Sequence, residues 1–179
     1  MKKIFSYLFL LFFLFFSCAE EQNFNQFDDL NVVPTLATSI FYFESPEDII
    51  NKLPPGNFYN QTFTFEAFNE AFVADRVLDG VITYELENTT SKEINVLVEF
   101  LDVFDTVLDT EFFAIQPQPA PSLERQVAYG NGGKSLDILR NTTQIRVVGT
   151  NMSDNTSEST INEPTIILRS GAEFRVRLQ

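Results

Sequence analysis

Carboxylates are the only side chains here numerous enough for acid–base chemistry: 25 Asp and Glu stand against 12 Lys and Arg, with no histidine, no tryptophan and one cysteine. His-based general catalysis, zinc sites of the His/Cys type and internal disulfides are thereby removed together. A carboxylate pair for glycoside hydrolysis has to be weighed on Glu85 and Glu99, which sit on two runs of alternating apolar residues. Matching the apolar faces of those runs predicts a hairpin with Leu86 opposite Ile94, Tyr84 opposite Val96 and Ile82 opposite Val98. The two glutamates then share a face but lie four residues apart along the strands, about 13 Å at roughly 3.4 Å per residue. A hydrolase pair needs about 5 to 9.5 Å, so this one fails on geometry. Asp102, Asp105 and Asp109 present the clustered oxygens that calcium takes, yet their spacing matches no EF-hand loop and aspartates at turns serve backbone hydrogen bonds. No catalytic residue, metal or cofactor is expected, and the chain reads as a non-enzyme.

Apolar residues in places where a solvated sheet would carry polar ones are better candidates for function. Val81, Leu97 and Leu101 fall on the face opposite the apolar alternation, and Val103 and Phe104 occupy a predicted hairpin tip. These five residues are the expected surface for a protein partner. The second reading is a ligand surface for a glycan or other small molecule, with Tyr42, Tyr59 or Tyr129 stacking in place of the missing tryptophan.

The elements that must position these residues are short strands. Val32 to Glu44 is a strand candidate, and Ser45-Pro46-Glu47-Asp48 has the grammar of a helix start, with Ser45 as the cap and Pro54-Pro55-Gly56 as the stop. Thr62 to Phe65 alternates like a strand before a Phe-rich stretch reaching Phe72. The runs from Ile82 to Leu86, Ile94 to Phe100 and Thr106 to Ile115 predict a three-stranded meander. Pro117, Pro119 and Pro121 force an extended crossover between sheets. Ser135 to Arg140 forms one or two helical turns, Gln144 to Gly149 another strand, Asn151 to Glu163 an exposed loop, and Thr165 to Arg169 and Glu173 to Leu178 the closing strands. Asn60, Asn88, Asn141, Asn151 and Asn155 lie in N-x-Ser/Thr sequons and read as turn residues. Seven or eight short strands with turn signals between them predict an all-β antiparallel sandwich.

The N-terminus gives the address. Lys2 and Lys3 precede an apolar run from Ile4 to Phe16, followed by the small residues Ser17, Cys18 and Ala19, which is a signal peptide. The run is shorter than the roughly 20 residues a bilayer-spanning helix needs. The lone Cys18, placed after that run and a small residue, resembles the lipobox of bacterial lipoproteins, which implies an acylated Cys18 as the mature N-terminus. Ser17-Cys18-Ala19 also fits ordinary secretory cleavage after Ala19. Residues 18–31 read as an acidic tether, and Ala19-Glu20-Glu21 resembles the surface-export signal of Bacteroidota lipoproteins. Residues 32–179 then make a single domain. The stretch NTTSKEINVLVEFLD at residues 88–102 resembles immunoglobulin-like sandwich lipoproteins of Bacteroidota. That resemblance implies an immunoglobulin-like fold in a lipid-anchored outer-membrane protein exposed at the cell surface, and carries no catalytic motif.

Charge narrows the partners. Cleavage before Cys18 shortens 179 residues to 162 and the 12 bases to 10 against 25 acids, a net charge near −15 that repels nucleic acid and the anionic faces of membranes. The distribution is uneven: residues 18–124 hold 20 acids and 3 bases, residues 125–179 hold 5 acids and 7 bases. In a sandwich the second part can lend its arginines to the first as strand-to-strand partners.

Overall fold

The computed structural model describes residues 32–65, 68, 74–118 and 122–178. The signal peptide, Cys18, the acidic segment to residue 31, Phe72, Pro119 and Pro121 lie outside the described residues. Eight strands and two short helices follow one another: β1 (Thr35–Pro46), α1 (Glu47–Lys52), β2 (Gly56–Thr64), β3 (Val77–Asn88), β4 (Ile94–Leu101), β5 (Val107–Ile115), β6 (Leu123–Gly130), α2 (Leu136–Asn141), β7 (Gln144–Asn151) and β8 (Thr165–Val176). Strands pair antiparallel in two four-stranded sheets, the first in the order β1-β8-β3-β6 and the second β2-β7-β4-β5. This is the all-β sandwich expected from the alternating apolar runs.

The strand order is that of a jelly roll and departs from the immunoglobulin order. Its pairs β4·β5, β3·β6, β2·β7 and β1·β8 are nested, so the chain is one long hairpin that closes at the β4–β5 turn and rolls into two sheets. The predicted β3–β4 hairpin is therefore corrected. β3 pairs with β6 and β8 in the first sheet, and β4 pairs with β5 and β7 in the second. Ile82, Tyr84 and Leu86 and the β4 set Ile94, Val96, Val98 and Phe100 are all buried in one core, which they enter from opposite sheets. Alternation reports which face of a strand is buried; it does not say whether a second apolar face lies beside it or across from it. The β4–β5 half of the predicted meander stands, and the crossover after Ile115 does pass from one sheet to the other.

The contacts made when the long hairpin rolls up, β3 with β8, β4 with β7 and β5 beside β6, explain the uneven charge. Arg125 and Lys134 meet Glu111, Lys134 also meets Asp109, Arg146 meets Glu99, Arg169 meets Glu87 and Arg175 meets Asp79, each a base of the second part beside an acid of the first. Most of these pairs touch solvent, so each contributes on the order of 1 kcal/mol or less; what they secure is register.

The helices connect the sheets. α2 begins with Ser135, whose hydroxyl accepts the Asp137 N–H at 3.1 Å, the capping its sequence calls for. Ser45 does not cap α1; it stays in β1, Pro46 takes the cap position without a side-chain bond, and Glu47 turns inward. The predicted break between Thr165 and Leu178 is absent, because β8 runs unbroken through Ser170 and Gly171. The register places the Val32 entry, Leu178, the β4–β5 turn and the start of β7 at one end of the sandwich; Asn88, Pro46, Asn151 and Thr165 mark the other.

Candidate interaction surfaces

Two polar networks account for the charged groups inside the domain. At the end marked by Asn88, Glu47 is 3 % exposed and its carboxylate accepts the Ser91 N–H at 2.7 Å, the Ser91 hydroxyl at 2.5 Å and the Ser159 N–H at 2.8 Å. Asn88 uses all of its amide: Nδ2 donates to Lys92 O and Gln116 O, and Oδ1 accepts from the Thr90 N–H and hydroxyl. Lys92, wholly buried, donates to Ser157 O at 2.7 Å and lies 3.4 Å from Asp154. The Ser157 hydroxyl and amide hold the Asp154 carboxyl well below the ordinary carboxylate range. The polar loop 152–164 is thus on the surface, as expected, but tied down from inside.

The second network closes the gap between β5 and β6, which are edge strands of different sheets. Lys134 Nζ donates to Asp109 at 2.7 Å and to Glu111 at 2.6 Å, and the Tyr129 hydroxyl donates to Asp109 at 3.3 Å. Burial pulls the Lys134 ammonium down, but the two hydrogen-bonded carboxylates outweigh it and leave the lysine raised. Arg125 lies over the Phe113 ring at 4.3 Å from its centre and donates to Phe112 O at 2.9 Å. Burial pushes the Tyr84 and Tyr129 hydroxyls up, out of reach of proton transfer near neutrality. These groups neutralise one another, an arrangement suited to holding two sheets together.

The carboxylates weighed for chemistry do not converge. Glu85 lies on the outward face of the first sheet and Glu99 on that of the second, where Arg146 holds it at 2.7 Å. Asp102 caps the β4–β5 turn, Asp105 faces Gln144 and Asp109 belongs to Lys134. Among the described residues no group of three or more potential ligands is placed to hold a metal ion.

The five apolar candidates separate into different places. Val81 is half-buried on the outward face of the first sheet, between Ala128 and Glu173. Leu101 is corrected outright: it is 1 % exposed at the end of β4, where α2 packs against β4 and β5, so it offers no free surface although its register with Gln144 of β7 is unbroken. Leu97 lies on the outward face of the second sheet, with Val148 beside it on β7 and Phe112 on β5. Phe112 is 51 % exposed, and together the three form an apolar row across the middle of that face. Polar rows flank it, Glu99 with Arg146 and Thr110 on one side and Asn95 with Thr150 on the other. Sequence reasoning found Leu97 and missed its neighbours, although Phe112-Phe113 are consecutive in a strand, where one ring has to face out.

Val103 and Phe104 do project from the β4–β5 turn, 68 % and 83 % exposed. The tyrosines of the ligand reading share no concave site. Tyr129 is core, Tyr59 stacks on Phe43 with ring centres 4.1 Å apart, and Tyr42 stands on the outward face of the first sheet with its hydroxyl on Glu44.

No family model and no curated protein sequence matches the chain. Solved structures with a similar chain path include VP2 of the infectious bursal disease virus subviral particle, 5 % identical over 81 % of this chain and 33 % of that one, with a TM-score of 0.41. The chain therefore spans about a third of the length of that capsid protein. Desmodium yellow mottle tymovirus is 9 % identical over 84 % of this chain and 91 % of its own, TM-score 0.36. A protein of Bacillus endospore appendages, described as a novel family of disulfide-linked pili, is 8 % identical over 89 % and 96 %, TM-score 0.35.

Proposed function

We propose that this chain is a non-catalytic, lipid-anchored protein of the outer membrane that serves as an accessory module of an envelope assembly. It is held through Cys18 and docks a protein partner through the outward face of its second sheet. The observation that carries this reading is the row Val148, Leu97 and Phe112: three apolar side chains aligned across a sheet face whose neighbouring rows are polar. An apolar centre with a polar rim is the anatomy of a protein–protein contact. The interior charged groups support a structural part for the polar clusters, since Asp109, Glu111, Lys134 and Glu47 are all engaged with one another or with backbone.

Among the described residues no helix is long and apolar enough to cross a membrane, and the proposed attachment is acylation of Cys18. Two or more acyl chains anchor stably where one holds only marginally. The test is affinity recovery of the tagged full-length protein from gently solubilised membranes beside a Cys18→Ala version, with mass spectrometry of the proteins that accompany it. A defined stoichiometric partner recovered with the acylated form alone is the expected result. Equal membrane localisation of the two forms, or no partner even after crosslinking, contradicts the reading.

A further inference from the structure

Exposed apolar side chains are not spread evenly over the domain. Val103, Phe104, Val107, Val32, Leu36 and Leu178 are all exposed and all lie at or near the end where the chain enters at Val32, against Ile49, Met152 and Ile161 at the opposite end. The opposite end carries Glu44, Asp48, Glu93, Asp154, Glu158 and Glu163 with Lys52, whereas at the entry end Arg76, Arg140, Arg175 and Arg177 stand among Asp75, Asp79, Asp102, Asp105 and Asp137. The entry end thus bears the larger share of exposed apolar side chains and a mixed charge, and the opposite end an acidic excess.

The β4–β5 turn is built to hold its apolar pair outward. The Asp102 N–H donates to Thr106 O at 3.0 Å, the Asp105 N–H donates to Asp102 O at 3.1 Å, and Asp102 Oδ1 accepts the N–H groups of Phe104 and Thr106 at 2.8 Å each. Asp105 closes the turn in the left-handed region at φ 60°. Because the amides of Phe104, Asp105 and Thr106 are satisfied within the turn, moving it out of water leaves these donors paired. The Val103 and Phe104 side chains can then enter an apolar medium without unpairing these three donors.

We infer that the Val103–Phe104 turn inserts into the lipid surface to which the chain is anchored, so that the domain stands with its entry end toward the membrane and its acidic end away from it. The inference rests on acylation of Cys18. Thirteen residues, 19–31, lie between that cysteine and Val32, and a coil of that length has a reach of about 20 Å. The entry end is therefore kept near the headgroups, and Phe104 lies at that end. Asp102 and Asp105 at the base of the turn confine insertion to the interface, about 5–10 Å deep.

The absence of tryptophan makes the test direct. Full-length acylated protein carrying Phe104→Trp is reconstituted into phosphatidylethanolamine–phosphatidylglycerol vesicles with and without brominated acyl chains, beside Phe112→Trp on the second sheet. Both positions are exposed, and neither substitution reaches the core. The inference predicts that brominated lipid removes more than half of the emission from position 104 and leaves position 112 unchanged. Equal, weak quenching at the two positions in vesicle-bound, acylated protein overturns it while leaving the anchor intact. If Phe104→Ser abolishes partner recovery and position 104 is unquenched, the turn belongs to a protein contact and the inference fails. An intact mass without acylation at Cys18 removes the reading it rests on, an outcome distinct from the other two.

Discussion

Replacing Glu47 with alanine is expected to lower the unfolding free energy by about 3–5 kcal/mol. The substitution removes a buried carboxylate that accepts three hydrogen bonds and leaves the Ser91 and Ser159 N–H groups and the Ser91 hydroxyl without their partner. Hydrogen bonds to a charged acceptor contribute about 1.5–3 kcal/mol each, and orphaned buried donors cost about 1–3 kcal/mol more, so the loss exceeds that of a typical surface change. Glutamine recovers only part of it, since its NH2 group replaces one acceptor oxygen. The neighbouring Asp48 supplies the contrast. Its pair with Lys52 at 2.7 Å is open to solvent, and Asp48→Ala should shift stability by no more than about 1 kcal/mol. Urea unfolding followed by far-ultraviolet circular dichroism measures both. A Glu47→Ala midpoint equal to that of Asp48→Ala would show that loop 152–164 is not held from inside.

Phe113→Ala is expected to cost a comparable amount, about 3–5 kcal/mol. The ring is fully buried where the two sheets meet, with its centre 5.2 Å from that of Tyr84 on β3 and 4.3 Å from the Arg125 guanidinium on β6. Truncation opens a cavity between the sheets and removes the surface on which Arg125 lies. Tyr84→Phe separates packing from polarity at the same spot. The Tyr84 hydroxyl is buried with no hydrogen-bond partner among the described residues, so its removal should be neutral or stabilise by up to about 1 kcal/mol. Thermal unfolding of the two variants in parallel gives the comparison. A destabilised Tyr84→Phe would mean that this hydroxyl has a partner after all.

Particular residues show why some of this was legible in the sequence and some was not. The alternation of Ile94, Val96, Val98 and Phe100 sets their inward face by side-chain period alone, and the structure keeps it. Tyr84 was placed opposite Val96 because matching apolar faces satisfies the same period, yet the two strands belong to different sheets. Pairing depends on contacts remote in sequence, which local alternation does not encode. The uneven charge was a non-local signal: Glu87, Glu99 and Glu111 of the first part meet Arg169, Arg146 and Lys134 of the second once the hairpin rolls β3 beside β8, β4 beside β7 and β5 beside β6. Leu101 keeps its outward place in the β4–β7 register yet is buried at the strand end, where cover by other elements is silent in local alternation. Val148 and Phe112 escaped notice because each becomes part of a surface only when β7 and β5 flank β4.

The docking face is tested most directly by the double substitution Leu97→Ser and Phe112→Ser in the full-length chain. Both side chains point outward, so the variant should unfold near the temperature of the parent, in contrast to Leu101→Ser, which puts a hydroxyl at a buried position. Affinity recovery from membranes should then yield the folded double variant without the partner that accompanies the parent. Undiminished recovery of that partner by a double variant shown to be folded would contradict the assignment of the second sheet's outward face.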